Sequence, residues 1–156
     1  MFQNSFSQAE DKISYLDMNY IIYNSIAGKN IINNIELLQN KSVTKLKERE
    51  KAIKIKDNEI QSQKNILTKD ELTLRIKILK DEIKQFNIDR ENLIKEHETK
   101  KKINLEKLIQ TISPYLEEYM KNNSIGIIIN NNSLVIANSK YNITNDILDI
   151  VNKNIK

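Results

Sequence analysis

Between Gly28 and Gly126 the chain contains no glycine, and its single proline is Pro114. So long a stretch without breakers, with charges interleaved among spaced aliphatic residues, predicts long helices and little else. It far exceeds an average helix, so a turn must interrupt it. Thr68-Lys69-Asp70-Glu71 supplies the interruption. A threonine followed three residues later by glutamate forms a capping box, in which each side chain bonds the other residue's backbone N–H. Acidic residues in the first turn also suit the positive end of the helix dipole. A second helix is therefore predicted to start at Thr68, which places a hairpin tip near residues 66–71.

Each helix carries a narrow apolar seam. In the first, Ile32, Leu46, Ile53, Ile60 and Leu67 share one heptad position, with Gln39 the exception. The companion positions Ile35, Ser42, Arg49, Lys56 and Gln63 are mostly polar. In the second, Leu72, Ile76, Leu79, Ile83, Phe86 and Leu93 alternate by four and three, interrupted at Arg90 and His97. Two such helices joined by a tight turn predict an antiparallel helical hairpin. At 1.5 Å per residue the arms would run roughly 55 Å and roughly 80 Å, so the second continues into another part of the molecule. Pro114 is expected to kink or split it.

The chain ends read differently. Residues 13–17 form a predicted strand, and residues 125–129 and 134–137 flank Asn130-Asn131-Asn132 as a predicted β-hairpin. Thr144 is a candidate N-cap for a last helix carrying Ile147, Leu148 and Val151. The fold class is thus α+β, mainly α: a long helical hairpin at about residues 29–107 on a small β body at 13–28 and about 108–156. Ile13, Tyr15, Ile127, Ile129, Leu134 and Ile136 alternate as a buried strand face should, yet one chain offers too little surface to cover them. Assembly around the strands is expected.

Composition removes whole classes of chemistry. The chain has no cysteine, so disulfides, thiolate metal sites and cysteine nucleophiles are excluded. His97 is the only histidine, which makes a metal site a weak reading, and Asp17 reads as a hydrogen-bonding residue at a strand end. No phosphate-cradling glycine loop or nucleophile elbow is present, and neither enzymatic activity nor a cofactor is expected. Ser7-Gln8-Ala9 has the small-x-small form of a signal-peptidase site, so residues 1–12 read either as an export-signal remnant or as a disordered terminus.

Charge is unevenly spread. Residues 29–107 hold 20 of the 25 basic and 14 of the 21 acidic side chains, an excess of six positive charges in a chain whose net charge is +4. Lys47, Lys51 and Lys54 share one helix face, as do Lys77, Lys80 and Lys84. The competing reading is a solvated surface stitched by pairs such as Glu50–Lys54, Glu91–Lys95 and Glu96–Lys100. Nucleic-acid binding is disfavoured, because acids intersperse the stripes and arginine is scarce.

This order of elements resembles the Skp (OmpH-like) periplasmic chaperones of outer-membrane biogenesis. The local matches are Ile13-Ser14-Tyr15-Leu16-Asp17-Met18 with Ser25-Ile26-Ala27-Gly28-Lys29, and 125–129, Leu134-Val135-Ile136 and Ile143-Thr144-Asn145-Asp146-Ile147-Leu148 at the other end. Asn142 stands where the family commonly has Asp. The resemblance implies a jellyfish-like homotrimer with a body of strands and three helical arms around a cavity. That cavity would hold unfolded outer-membrane proteins without ATP, in the periplasm. The lysine stripes would meet acidic clients, lipopolysaccharide or an anionic membrane surface. A prefoldin-like chaperone and a coiled-coil scaffold are the alternatives. Prefoldin-type subunits place their strands between the helices, the reverse of this order, and the seams are too polar for a scaffold.

Overall fold

A computed structural model describes residues 12–156; the reading of residues 1–12 as a signal remnant or disordered terminus lies outside the described residues except at Lys12, which begins the first strand. The elements follow as β1 (Lys12–Leu16), α1 (Met18–Asn24), α2 (Ile26–Gln63), α3 (Lys69–Asn123), β2 (Ile125–Asn130), two single 3₁₀ turns (Asn131–Ser133 and Ser139–Tyr141) and α4 (Thr144–Asn154). They divide into two compact units. One comprises residues up to Ile32 together with Ile103–Lys156, and the other is Asn33–Lys102.

In the first unit β1 and β2 form a two-stranded parallel sheet, with Ile13 opposite Ile127, Tyr15 opposite Ile129 and Leu16 opposite Asn130. Ser14 and Leu16 turn inward, and Leu16 joins Ile21, Ala27, Leu108, Ile112, Ile143, Ile147 and Val151 in one core. Because side chains alternate along a strand, Ile13 and Tyr15 must point the other way.

The turns around this core are closed by specific side chains. Asp17 caps α1 by accepting from the Tyr20 N–H at 2.8 Å. Buried Ser25 caps α2: its Oγ accepts from the Gly28 N–H at 3.1 Å and donates to the Ile22 carbonyl at 3.3 Å. The Ile26 N–H donates to Asn152 of α4 at 2.8 Å. Gly28 is required sterically, since a Cβ there would stand 1.7 Å from the Ile22 carbonyl oxygen. The Tyr119 hydroxyl donates to Asp146 at 2.6 Å, and burial together with that carboxylate pushes its pKa up to about 12.

Several expectations are corrected here. Residues 134–137 form no strand; after β2 the chain makes a 3₁₀ turn instead of a hairpin, and Val135 and Ile136 are 102% and 90% exposed. A strand needs a neighbour to bond, and this segment has none within the single chain. Pro114 does not split α3, which runs continuously from Lys69 to Asn123. It ends at Ser124, whose φ of 52° is the left-handed conformation common after helix C-termini. Thr144 is the first residue of α4 and not its cap. Asn142 Oδ1 accepts from the Thr144 N–H at 2.9 Å, while Thr144 Oγ1 accepts from the Asp17 N–H at 2.9 Å. An amide oxygen thus does at position 142 what a carboxylate oxygen would.

In the second unit α2 and α3 pair antiparallel. The tip follows the predicted chemistry: the Thr68 N–H donates to Glu71 Oε2 at 3.0 Å and the Glu71 N–H to Thr68 Oγ1 at 3.3 Å. The seam is narrower than expected. Ile35, Ile60, Leu79 and Phe86 are buried, whereas Ile76 and Ile83 are 37% and 39% exposed and stand outside it. Leu46, Ile53, Leu67, Leu72 and Leu93 are half-buried between them, and polar residues at the flanking positions bond across the helices.

Two tests follow from these local arrangements. Gly28→Ala should lower stability by about 1–3 kcal/mol or more, as overpacking against backbone does, seen as a lower urea midpoint at unchanged m. Hydrogen bonds from Thr68 hold the Glu71 carboxyl below its ordinary value, so this support is present above that value and lost as pH falls through the lowered one. Thr68→Ala should return Glu71 toward the ordinary glutamate range in a carboxyl NMR titration; an unmoved titration would mean the box is not formed in solution.

Candidate functional site

Two surfaces hold the residues singled out from the sequence, one in each unit. In the hairpin unit Lys47, Lys51 and Lys54 on α2 and Lys77, Lys80 and Lys84 on α3 are all exposed. None of the six has an ion-pair partner among the described residues. Of the surface pairs considered above, Glu96–Lys100 forms at 2.6 Å, while Glu50–Lys54 and Glu91–Lys95 do not. Both helices therefore present lysines whose charge is not locally neutralised. Around them lie exposed aliphatics, among them Leu37, Ile55, Leu74, Ile78, Ile88 and Ile94, each 42–59% exposed. The surface is thus mixed, apolar stems and side chains beside cationic heads, without an enclosing wall.

The charged residues that do pair across the hairpin were legible only as polar heptad positions. Arg49 bonds Asp89 at 2.5 Å, Lys56 bonds Glu82 at 2.5 Å, Arg75 donates to Gln63 at 2.7 Å, and Ser42 meets His97 at 3.1 Å. The guanidinium of Arg49 holds the Asp89 carboxyl below its usual range, with Gln85 adding to it. Opposite charges at matching heptad positions of the two arms were the available signal. His97 is thus a cross-helix contact, and among the described residues no group of three or more metal-ligating side chains occurs around it or elsewhere.

In the other unit the sheet offers one uncovered face. Ile13 and Ile127, paired in register, are 53% and 54% exposed, and Tyr15 and Ile129 beside them are half-buried. A groove of about 610 Å³ runs over this face, bounded by Leu134, Ala137 and Tyr141. Leu134 is half-buried at its edge, and Ile136 stands in solvent. All six residues expected at a subunit contact therefore belong to this sheet face or the segment after it, and Ile13, Ile127 and Ile136 are more than half exposed in the single chain.

Comparison with known proteins agrees with this architecture. No curated protein matches the chain. Among solved structures, a candidate outer membrane chaperone (OmpH-like) from Caulobacter crescentus CB15 superposes with a TM-score of 0.86 at 15% identity, covering 99% of this chain and 92% of that one. At that identity the likeness establishes the shared α+β fold of long helices and a small sheet. The family model for outer membrane protein (OmpH-like) matches residues 12–151, nearly every described residue, and the chain belongs to the OmpH-like family.

Proposed function

We propose that this protein is a non-enzymatic holdase chaperone of the periplasm, which keeps unfolded outer-membrane proteins from aggregating without nucleotide. The observation that carries the reading is the mixed surface of the hairpin, where unpaired lysines stand beside exposed aliphatic residues on two long helices. Such a surface suits a client that is itself extended, alternating and partly apolar. Each contact is weak, exposed ionic pairs contributing about 0–1 kcal/mol, so binding must come from many contacts made together. The solved OmpH-like relative is described as a candidate chaperone, in keeping with this role.

The second part of the proposal is trimeric assembly through the body, with clients enclosed between the arms of three chains. Its support is the sheet face of Ile13, Tyr15, Ile127 and Ile129 together with the strandless segment bearing Leu134 and Ile136. An apolar β face and an unpaired apolar segment in one place are what a strand-mediated subunit contact requires. Lipopolysaccharide or an anionic membrane surface is a further partner for the same lysines.

Native mass measurement should give a trimer, and Ile127→Asp with Ile136→Asp should give monomers by burying unpaired charge at the contact. A wild-type monomer would end the assembly proposal. For client capture, exchanging Lys47, Lys51, Lys54, Lys77, Lys80 and Lys84 for Glu should slow association with an unfolded, acidic outer-membrane barrel by about tenfold or more at low salt. Wild-type association should slow as salt rises, because interactions of exposed charges are screened beyond about 8–10 Å. Equal rates and equal salt slopes in the two proteins, with trimer mass unchanged, would assign capture to the aliphatic faces instead.

A further inference from the structure

The seam between α2 and α3 has a gap, and a polar atom with nothing bonded to it lies beside that gap. Ile35 is buried on α2, but the next seam positions toward the tip hold Gln39, which is exposed, and Ser42, which is small. On α3, Leu93 at this height is only half-buried. The result is an open groove of about 260 Å³, walled in part by Ile35, Val43, Leu46, Leu93 and Ile94. Val43 and Ile94 are 40% and 53% exposed, so the groove opens onto the aliphatic surface of the arm.

His97, the only histidine of the chain, lines the same groove. Its Nε2 meets Ser42 Oγ across the helices at 3.1 Å, while its Nδ1 is buried without a hydrogen-bond partner. A polar atom in that state is unfavourable, and a group that bonded it would recover the loss. Pockets for drug-sized ligands run to roughly 300–1,000 Å³, so this groove has room for one side chain and not for a cofactor. Its aliphatic walls call for an apolar body, and Nδ1 calls for a polar group at the end of that body. A phenol meets both demands, because its hydroxyl donates as well as accepts and so matches Nδ1 whether or not that nitrogen carries the hydrogen. An indole N–H only donates, and a phenyl or aliphatic group leaves Nδ1 unbonded. A carboxylate or ammonium would lose its water among aliphatic side chains.

We propose that this groove receives tyrosine side chains of a client polypeptide, and that His97 Nδ1 is the atom that selects them. Membrane-spanning β-barrels carry girdles of aromatic residues at both interfaces, tyrosine among them, so an unfolded barrel presents such side chains at many points along its length. Ser42 is a positioning residue, since its bond to Nε2 fixes the rotation of the ring. The inference rests on the chaperone reading and adds residue preference to it: the exposed lysines and aliphatics suit any extended acidic chain, and the groove distinguishes one side chain from another.

The probe is an unfolded, acidic outer-membrane barrel in two forms, one natural and one with every tyrosine changed to phenylalanine. The full-length protein should bind the natural form about fivefold more tightly in competition, a factor on the scale of one net hydrogen bond. His97→Leu should bind the two forms equally, and the wild-type comparison decides the matter alone if that variant fails to fold. Because the chain has one histidine, its ring nitrogens give uniquely assigned NMR signals, and the Nδ1 signal should move with the natural barrel and stay in place with the phenylalanine form. Equal wild-type affinity for the two forms with an unmoved Nδ1 signal would overturn the groove assignment and leave the chaperone reading standing. Capture of neither form would overturn the chaperone reading, and this inference with it.

Discussion

The pairing of β1 with β2 is the constraint on which the rest of this chain depends. The two strands are parallel, so the chain must leave the end of β1 at Leu16 and return to the start of β2 at Ile125, beside Lys12 at the other end of the sheet. Parallel strands always require a crossover, usually one helix long. Here the crossover comprises α1, α2 and α3, so the helical hairpin is an extended connection between neighbouring strands. Ile21 of α1, Ala27 of α2 and Leu108 and Ile112 of α3 enter the core that Leu16 anchors. Ser25, Gly28 and Asn152 then fix where the outgoing helix starts.

The hairpin solves a different problem, that of holding two long helices together with little apolar surface. Only Ile35 and Ile60 of α2 and Leu79 and Phe86 of α3 are buried in the hairpin unit, and each such side chain stabilises by roughly 1.5–3 kcal/mol when fully buried. The exposed ionic contacts between layers add little energy of their own. Their value lies in orientation, since they turn polar heptad positions toward each other and leave the outer faces free. An arm with a wide seam would have spent those outer aliphatic residues on its own core. A narrow seam leaves them, and the lysines beside them, available to another molecule.

The two units share that character. In the hairpin it is the mixed lysine and aliphatic surface; in the body it is the Ile13 and Ile127 face and the exposed Val135 and Ile136. Surfaces of this kind on a small chain are unusual unless something covers them. Family membership and the two surfaces point in the same direction, toward a protein whose work is contact with other chains.

The sequence alone determined much of what depends on local chemistry. The absence of glycine dictated long helices, Thr68 and Glu71 dictated the tip, the heptad aliphatics dictated that the helices pair, and the terminal motifs carried the family resemblance. These readings succeed because caps, breakers and periodicity act over a few residues. Tertiary structure decided what depends on a distant partner. Ile76 and Ile83 fit a seam by spacing but were left outside it, since the rotation of one helix against the other is set by cross-helix contacts such as Arg49 with Asp89. Pro114 could be kept inside α3 because flanking turns hold the helix around one missing hydrogen bond. Residues 134–137 have the composition of a strand, yet a strand exists only where another backbone meets it, and no residue within the segment can supply one. The hydrogen bond that Asn142 accepts from the Thr144 N–H at the start of α4, and the role of Gly28 as the point where the Ile22 carbonyl approaches, likewise came into view only when the elements were brought together.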